Sequence, residues 1–369
     1  MSDTAIAAEG LAVGYGKVTV AGGISFTVGR GEVLTLIGPN GAGKSTVLRS
    51  IAAQLPILSG AVYIGGEDIS TMRERELSRR ISLVLTERLI AERMTCADVV
   101  ETGRYPYTGR LGILTAEDRR AVAEAMELAG VTDLAESGFG EISDGQRQCV
   151  MLARAIAQQP RVMLLDEPTS FLDIDRKLRL LTLLRELARQ KNIAVIQSLH
   201  ELDLAQRFSD RVLCISGRRA ELIGTPEEIF TEENIGRIYG LEHGSFHSAY
   251  CTVEPAAVTG EPQVFVIGGA GAGIPVYRAL YRKDIPFAAG VIHEGDIEYP
   301  AASSLACGLV TERAFEPIGE EALSRALAVM ERCGKVVCAC ERFGEMNRRN
   351  LLLRDKAAEL GKLTTLAEL

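Results

Sequence analysis

The chain has 369 residues, 47% of them hydrophobic, with 41 Lys and Arg against 49 Asp and Glu and a formal charge of −8. That length exceeds one ordinary core and leads us to expect two domains, and the acidic balance argues against a protein that grips nucleic acid through bulk positive charge. The most apolar runs, Val33 to Ile37, Val162 to Leu165 and Ile193 to Ile196, are far too short to span a bilayer; Met1 to Leu11 lacks the pattern of a signal peptide, and eight cysteines without repeated spacing fit a reducing compartment.

In chain order, Ile6 to Val13 alternates as a strand and runs into Gly14-Tyr15-Gly16, and a second strand pattern, Ile24 to Val28, ends at Gly29-Arg30-Gly31. Tyr15, beside flexible glycines, is either a platform for a purine ring or an ordinary packing tyrosine. The buried run Val33 to Ile37 then meets Gly38-Pro39-Asn40-Gly41-Ala42-Gly43-Lys44-Ser45-Thr46, followed by a helical pattern from Lys44 to about Leu55. This fits G-x-x-x-x-G-K-[ST], the phosphate-binding P-loop. Its glycines let successive amide groups face inward, and the helix start adds positive partial charge where phosphate sits. Lys44 reaches the outer phosphates, and Ser45 offers a hydroxyl to the magnesium ion that accompanies ATP.

Gly60 to Ile64 reads as a strand, Met72 to Arg80 as a basic helix, and Ile81 to Leu85 as a buried strand ending at Thr86-Glu87-Arg88. Thr95 caps a helix to Arg104, Tyr105 to Gly109 forms a loop, and Thr115 caps a helix to about Ala129. Next comes Ile142-Ser143-Asp144-Gly145-Gln146-Arg147-Gln148 ahead of a helical run, which is either a good N-cap or an anion site. Val162 to Leu165 ends in Asp166-Glu167. Two carboxylates there suit a P-loop hydrolase, the first to hold magnesium and the second to orient or deprotonate a water. After Thr169 to Asp173 and a helix to Arg189, the strand Ile193 to Gln197 ends in Ser198-Leu199-His200-Glu201. From that position His200 either meets a terminal phosphate or is an ordinary surface or core histidine.

In this order the parts resemble the ATP-binding subunit of ABC transporters over residues 3–250, which implies an α/β P-loop NTPase domain. By that resemblance Tyr15 is the adenine-stacking tyrosine, residues 38–46 the Walker A loop, and Ser143, Gly145 and Gln146 the nucleotide contacts of the signature loop. Asp166 and Glu167 match the Walker B aspartate and catalytic glutamate, Ser170 to Asp173 the D-loop, and His200 the switch histidine; with Lys44, Glu167 and His200 make up the catalytic set. Asp144 replaces the usual signature glycine, and Glu87 stands where a Q-loop glutamine is expected, so Ser45, Asp166 and Glu87 form the implied magnesium set.

The resemblance implies ATP and Mg2+ as cofactors and a head-to-tail homodimer at the cytoplasmic face of the cell membrane. It also implies two permease subunits, an indirect periplasmic or extracellular substrate-binding protein, and no nucleic acid. Gly103-Arg104-Tyr105-Pro106 is similar to a segment of importers for iron-siderophore complexes, haem and cobalamin, where it faces the permease. The alternative is a soluble ABC-type ATPase whose C-terminal domain regulates or recruits a partner.

Residues 251–262 read as a linker and 263–369 as a smaller Rossmann-like α/β domain. There Val264 to Ile267 precedes Gly268-Gly269-Ala270-Gly271-Ala272-Gly273, which lacks the Lys-Ser/Thr of a second P-loop. Two readings stand: a plain tight turn, or a ligand loop with Gly269, Gly271, Gly273, His293, Glu294 and Asp296 at the sheet edge. Cys307, Cys333, Cys338 and Cys340 are either buried thiols or a metal or redox site.

Overall fold

The computed structural model describes residues 4–85, 93–109 and 112–369, so Glu87 lies outside the described residues. Contacts divide the chain into Met1–Gly240 and Leu241–Leu369. The division precedes the boundary expected at residue 250 because a hairpin, Gly244–His247 paired with Thr252–Pro255, belongs to the second unit. His247 Nε2 lies 2.6 Å from the Ser304 hydroxyl, and Arg278 pairs with Glu254 at 2.5 Å.

The first unit is built on strands β1 (Thr4–Tyr15), β2 (Val18–Gly29), β3 (Val33–Ile37), β4 (Ile57–Ile64), β5 (Glu67–Asp68), β6 (Ile81–Val84), β7 (Val162–Leu165), β8 (Ala194–Ser198), β9 (Arg211–Ser216) and β10 (Arg219–Gly224). Among the described residues they form one sheet in the order β5-β4-β1-β2-β10-β9-β3-β8-β7-β6. The β1–β2, β1–β4 and β4–β5 ladders are antiparallel, whereas β3 runs parallel to β8 and β9, and β7 parallel to β6 and β8. Strands β3, β7 and β8 are buried along their length, as parallel strands covered on both faces must be. β1 and β2 run longer than the sequence pattern suggests, because register shifts absorb residues that break the alternation.

Three helices outside this sheet begin with reciprocal capping boxes: Cys96–Glu101 on Thr95 and Asp98, Ala116–Leu128 on Thr115 and Asp118, and Asp144–Ala157 on Ser143 and Gln146. They are locked by Arg104, which is buried. Its guanidinium donates to Asp118 at 2.8 Å and to the Ala157 carbonyl at 2.8 Å, and it stacks 3.9 Å over the Tyr107 ring. Within the Gly-Arg-Tyr-Pro segment, Arg104 therefore holds the helices together, and Tyr105 is the exposed residue.

In the second unit β13 (Val264–Ile267), β14 (Phe287–His293), β15 (Gly308–Glu312), β16 (Lys335–Cys338) and β17 (Leu363–Thr364) follow the hairpin strands β11 (Gly244–His247) and β12 (Thr252–Pro255). They form a parallel sheet ordered β15-β14-β13-β16-β17, with the first strand central, a Rossmann-like winding. Two apolar clusters, around Phe265 and Val336 and around Tyr277 and Phe287, build its core.

Candidate functional site

Because β3, β8 and β7 are neighbours and run parallel, the segments leaving their C-terminal ends converge on one edge of the sheet. These are the P-loop, Ser198 to Glu201, and Asp166-Glu167. Two P-loop glycines answer to close approach. A Cβ on Gly38 (φ +146°) would lie 2.0 Å from the Ile215 carbonyl oxygen, and one on Gly43 (φ +104°) 2.8 Å from Val20 Cγ1. Gly41 (φ +78°) instead faces open space, so the curled loop keeps a free side. The loop leads into the helix Lys44–Ile51, whose first amide groups lack partners of their own turn.

The Lys44 ammonium curls back to donate to the Gly38 carbonyl at 2.7 Å and the Pro39 carbonyl at 3.3 Å. Its burial lowers the lysine pKa, and the nearby Glu167 and Asp166 oppose that shift. Ser45 donates to Asp166 Oδ1 at 2.9 Å, and Glu167 Oε1 lies 2.6 Å from His200 Nε2. Ser170 donates to the other Glu167 oxygen at 3.2 Å. The structure thus joins Ser45 to Asp166 and Glu167 to His200, with Lys44 beside both carboxylates. A cradle open at Gly41, a buried ammonium and a hydroxyl-carboxylate pair of hard oxygen ligands fit a nucleoside triphosphate with a divalent cation.

Other predicted residues stand apart from this cluster. Tyr15 ends β1 and is 55% exposed, on the hairpin whose Val20 and Ala21 face Gly43. Ser143 and Gln146 satisfy each other: Ser143 Oγ accepts the Gln146 amide at 3.3 Å, and Gln146 Oε1 accepts the Ser143 amide at 2.9 Å. Among the described residues, none of their hydrogen bonds reaches the P-loop cluster. Asp144 takes Arg147 at 2.8 Å, while a Cβ on Gly145 would lie 2.8 Å from the Arg176 guanidinium and 3.2 Å from Leu172. Gly145 thus lies beneath Leu172 and the Arg176 side chain of the helix Ile174–Lys191.

Sequence reasoning missed three residues. Ser198, fully buried, donates to Asp166 Oδ1 at 2.8 Å and accepts the Glu167 amide at 2.9 Å. Glu201 takes Lys177 at 2.6 Å and Thr169 at 3.1 Å. The Tyr239 hydroxyl accepts the Gly38 amide at 3.1 Å, and burial pushes that phenol up to about 12. Ser198 and Glu201 flank His200 in the run quoted above but carry no assigned role there, and the Gly38–Tyr239 partners are far apart in sequence, so only the closed sheet reveals these contacts.

In the second unit the chain's own carboxylates occupy the glycine loop. Asp296 accepts the Ala270 amide at 2.7 Å, and Glu298, fully buried, accepts the Gly273 amide at 2.7 Å and the Tyr277 hydroxyl at 3.0 Å. A Cβ on Gly268 would lie 2.0 Å from Glu298 Oε1. The glycines make room for these groups, as a tight βα turn does, and His293 meets the Glu316 carbonyl at 2.9 Å. Burial raises the pKa of Cys333, to about 11, and of Cys338 and Cys340. Such thiols are poor ligands until deprotonated.

Comparison with known proteins agrees with this geometry. The ABC transporter family model matches residues 21–170, and the MJ0874 family model matches residues 287–368. The chain is 40% identical over 277 residues to the ABC transporter ATP-binding protein MJ0873 of Methanocaldococcus jannaschii, covering 74% of this chain and 95% of that protein. It is 37% identical over 260 residues to the ferric enterobactin transport ATP-binding protein FepC of Escherichia coli, covering 70% and 93%. With the cobalamin import ATP-binding protein BtuD of Halobacterium salinarum it shares 32% over 305 residues, covering 81% and 76%.

Among solved structures, cbiO1 of Clostridium perfringens, part of the cbiONQ transporter complex, superposes with a TM-score of 0.56 at 27% identity, covering 64% of this chain and 94% of that one. The dimeric bacterial cassette MJ0796 gives 0.54 at 25% identity, covering 60% and 98%. The converging P-loop, carboxylates and histidine, and relatives matched over most of their own length, show that the chain belongs to the ABC transporter ATP-binding proteins, the ATPase subunits of ABC transporters.

Proposed function

We propose that this chain energises an importer of an iron-siderophore complex, haem or cobalamin, hydrolysing ATP between two copies of itself. The observation that carries the reading is the convergence of Lys44, Ser45, Asp166, Glu167 and His200 at the ends of adjacent strands. Residues 38–46 wrap the phosphates, and Tyr15 stacks on the base. Ser45 and Asp166, with Glu87, hold Mg2+, which when bound neutralises charge on the phosphate oxygens.

Glu167 takes a proton from water as the water oxygen bonds to the γ-phosphorus; the bond to the β-phosphate oxygen breaks and ADP leaves. Lys44 offsets the charge developing on the transferred group, and His200 holds it while orienting Glu167. The Ser143–Gln146 capping box fixes the start of the helix Asp144–Ala157, and a helix N-terminus suits the nucleotide of a second copy. Closure with ATP and opening after hydrolysis make a ligand-biased two-state element.

A groove of about 740 Å³ lined by Gln54, Met72, Leu77, Tyr105 and Pro106 is the surface on which a cytoplasmic helix of each permease would seat. No helix among the described residues is long and apolar enough to cross a membrane, in keeping with a peripheral subunit at the cytoplasmic face. The importer class rests on FepC and BtuD among the relatives.

The test is to express tagged Glu167→Gln protein in its native host, solubilise the membranes with ATP present, and identify what co-purifies. A polytopic permease, followed by ATPase stimulation of the complex by a loaded binding protein, is the expected result. Recovery from the cytosol alone, with no membrane subunit, would overturn the importer reading in favour of a soluble ATPase.

A further inference from the structure

Glu167 has a left-handed backbone, φ +49°, a conformation uncommon for a residue that carries a Cβ. The carboxylate read as the base thus sits on a peptide that would relax if released. Two hydrogen bonds hold that residue's main chain. Its carbonyl accepts the Ser170 amide at 3.1 Å, a bond local to the turn, and its amide donates to Ser198 Oγ at 2.9 Å, a bond from the neighbouring strand.

Ser198 is the last residue of β8, fully buried between β3 and β7. Leu36 lies opposite it on β3, and Leu165 pairs with the preceding Gln197 on β7. Its hydroxyl has one proton to give, and that proton goes to Asp166 Oδ1 at 2.8 Å. Ser45 donates to the same oxygen at 2.9 Å. If the Ser45 hydroxyl turns to a metal ion, as read above, the Ser198 hydroxyl still donates to Asp166.

We propose that Ser198 is the positioning residue of this active site: one side chain that fixes the Asp166 carboxylate and pins the left-handed Glu167 peptide. Through that peptide it sets where the Glu167 carboxylate points. Ser198 touches neither phosphate nor water in this scheme. Its effect falls on turnover rather than nucleotide affinity, which the P-loop amides and Lys44 supply. The inference rests on the assignment of Glu167 and Asp166 made above.

The experiment compares the full chain with Ser198→Ala, Ser198→Thr, Ser198→Cys and Glu167→Gln, measuring steady-state ATPase against ATP and against Mg2+, binding of a fluorescent ATP analogue, and thermal unfolding. The expected result for Ser198→Ala is a kcat lower by on the order of 10- to 100-fold, as for a small misplacement of a reacting group. Analogue affinity and unfolding midpoint stay close to those of the parent, half-maximal activity needs more Mg2+, and Ser198→Thr regains most of the kcat. Should the extra methyl of threonine unfold the protein, Ser198→Cys, which fits the space but accepts weakly, is expected to fall between serine and alanine.

Normal kcat in Ser198→Ala, or equal losses of binding and turnover that no hydroxyl restores, would overturn the proposal. If Glu167→Gln is inactive while Ser198→Ala is normal, only the role of Ser198 fails. If Glu167→Gln turns over normally, the active-site assignment itself fails.

Discussion

Nε2 of His200 lies 2.6 Å from Oε1 of Glu167, so side chains continue the link between neighbouring strands β7 and β8 beyond the last ladder pair, Leu165 with Gln197. The contact makes the orientation of one carboxylate depend on an imidazole from the segment that follows β8. His200→Ala is expected to lower ATP turnover about 100-fold, and Glu167→Gln by at least as much, in the range typical of lost general acid-base function. Both variants should bind a fluorescent ATP analogue with parental affinity. Parental turnover in either would remove that residue from the mechanism.

The Arg104–Asp118 pair is buried on both sides at 2.8 Å, so removing one partner strands the other charge. Arg104→Ala should cost about 3–5 kcal/mol in denaturant unfolding, and Arg104→Met with Asp118→Leu should recover much of that loss. Hydrogen bonds from Thr115 and the Arg104 guanidinium hold the Asp118 carboxyl below its ordinary value of 3.8. Its contribution is therefore present above pH 3.8 and lost as pH falls through the lowered folded value. Asp118→Asn should remove that acid-dependent part.

Tyr239 sits at the end of the helix Glu232–Tyr239 and accepts the amide of the first P-loop glycine. Burial keeps the phenol protonated through the neutral range, so the bond does not switch with pH there. Tyr239→Phe keeps the ring and removes the acceptor. A lost neutral hydrogen bond is worth about 0.5–1.5 kcal/mol, so ATP affinity should weaken roughly 2- to 12-fold, with a smaller change in kcat. Isothermal titration with an ATP analogue checks this; unchanged affinity would mean that the loop holds its shape without Tyr239.

Burial raises the Glu298 carboxyl above its ordinary value of 4.5, against the pull of the Gly273 amide and the Tyr277 hydroxyl. A carboxyl raised in the folded state contributes stability that is complete below pH 4.5 and declines as pH rises through the folded value. Glu298→Gln keeps an acceptor for the Gly273 amide and cannot ionise. Its unfolding midpoint should gain on the parent as pH rises from about 4 to 7; parallel pH profiles would show that Glu298 does not titrate differently on folding.

The P-loop, the Asp166-Glu167 pair and His200 could be read in the sequence because each is a run of adjacent residues at a strand end, where local order already states the geometry. The same holds for the capping boxes of Thr95, Thr115 and Ser143, which span a single helical turn. The register of β1 and β2 was less visible, since shifts along the ladder break the alternation that periodicity needs.

Arg104 and the glycine loop of the second unit were less legible, for one reason. Whether an arginine faces a partner protein or Asp118, and whether a loop meets a phosphate or Glu298, is decided by side chains distant in sequence. Sequence by itself determined the family of site, the order of its parts and the two-unit organisation, because those follow from short-range pattern and chain length. Only the tertiary structure decided that Ser198 spans Asp166 and Glu167, that Tyr239 holds Gly38, and that Glu298 fills its own loop. A hydrogen bond depends on angstrom-scale placement of groups brought together by packing, and sequence spacing carries no record of that distance.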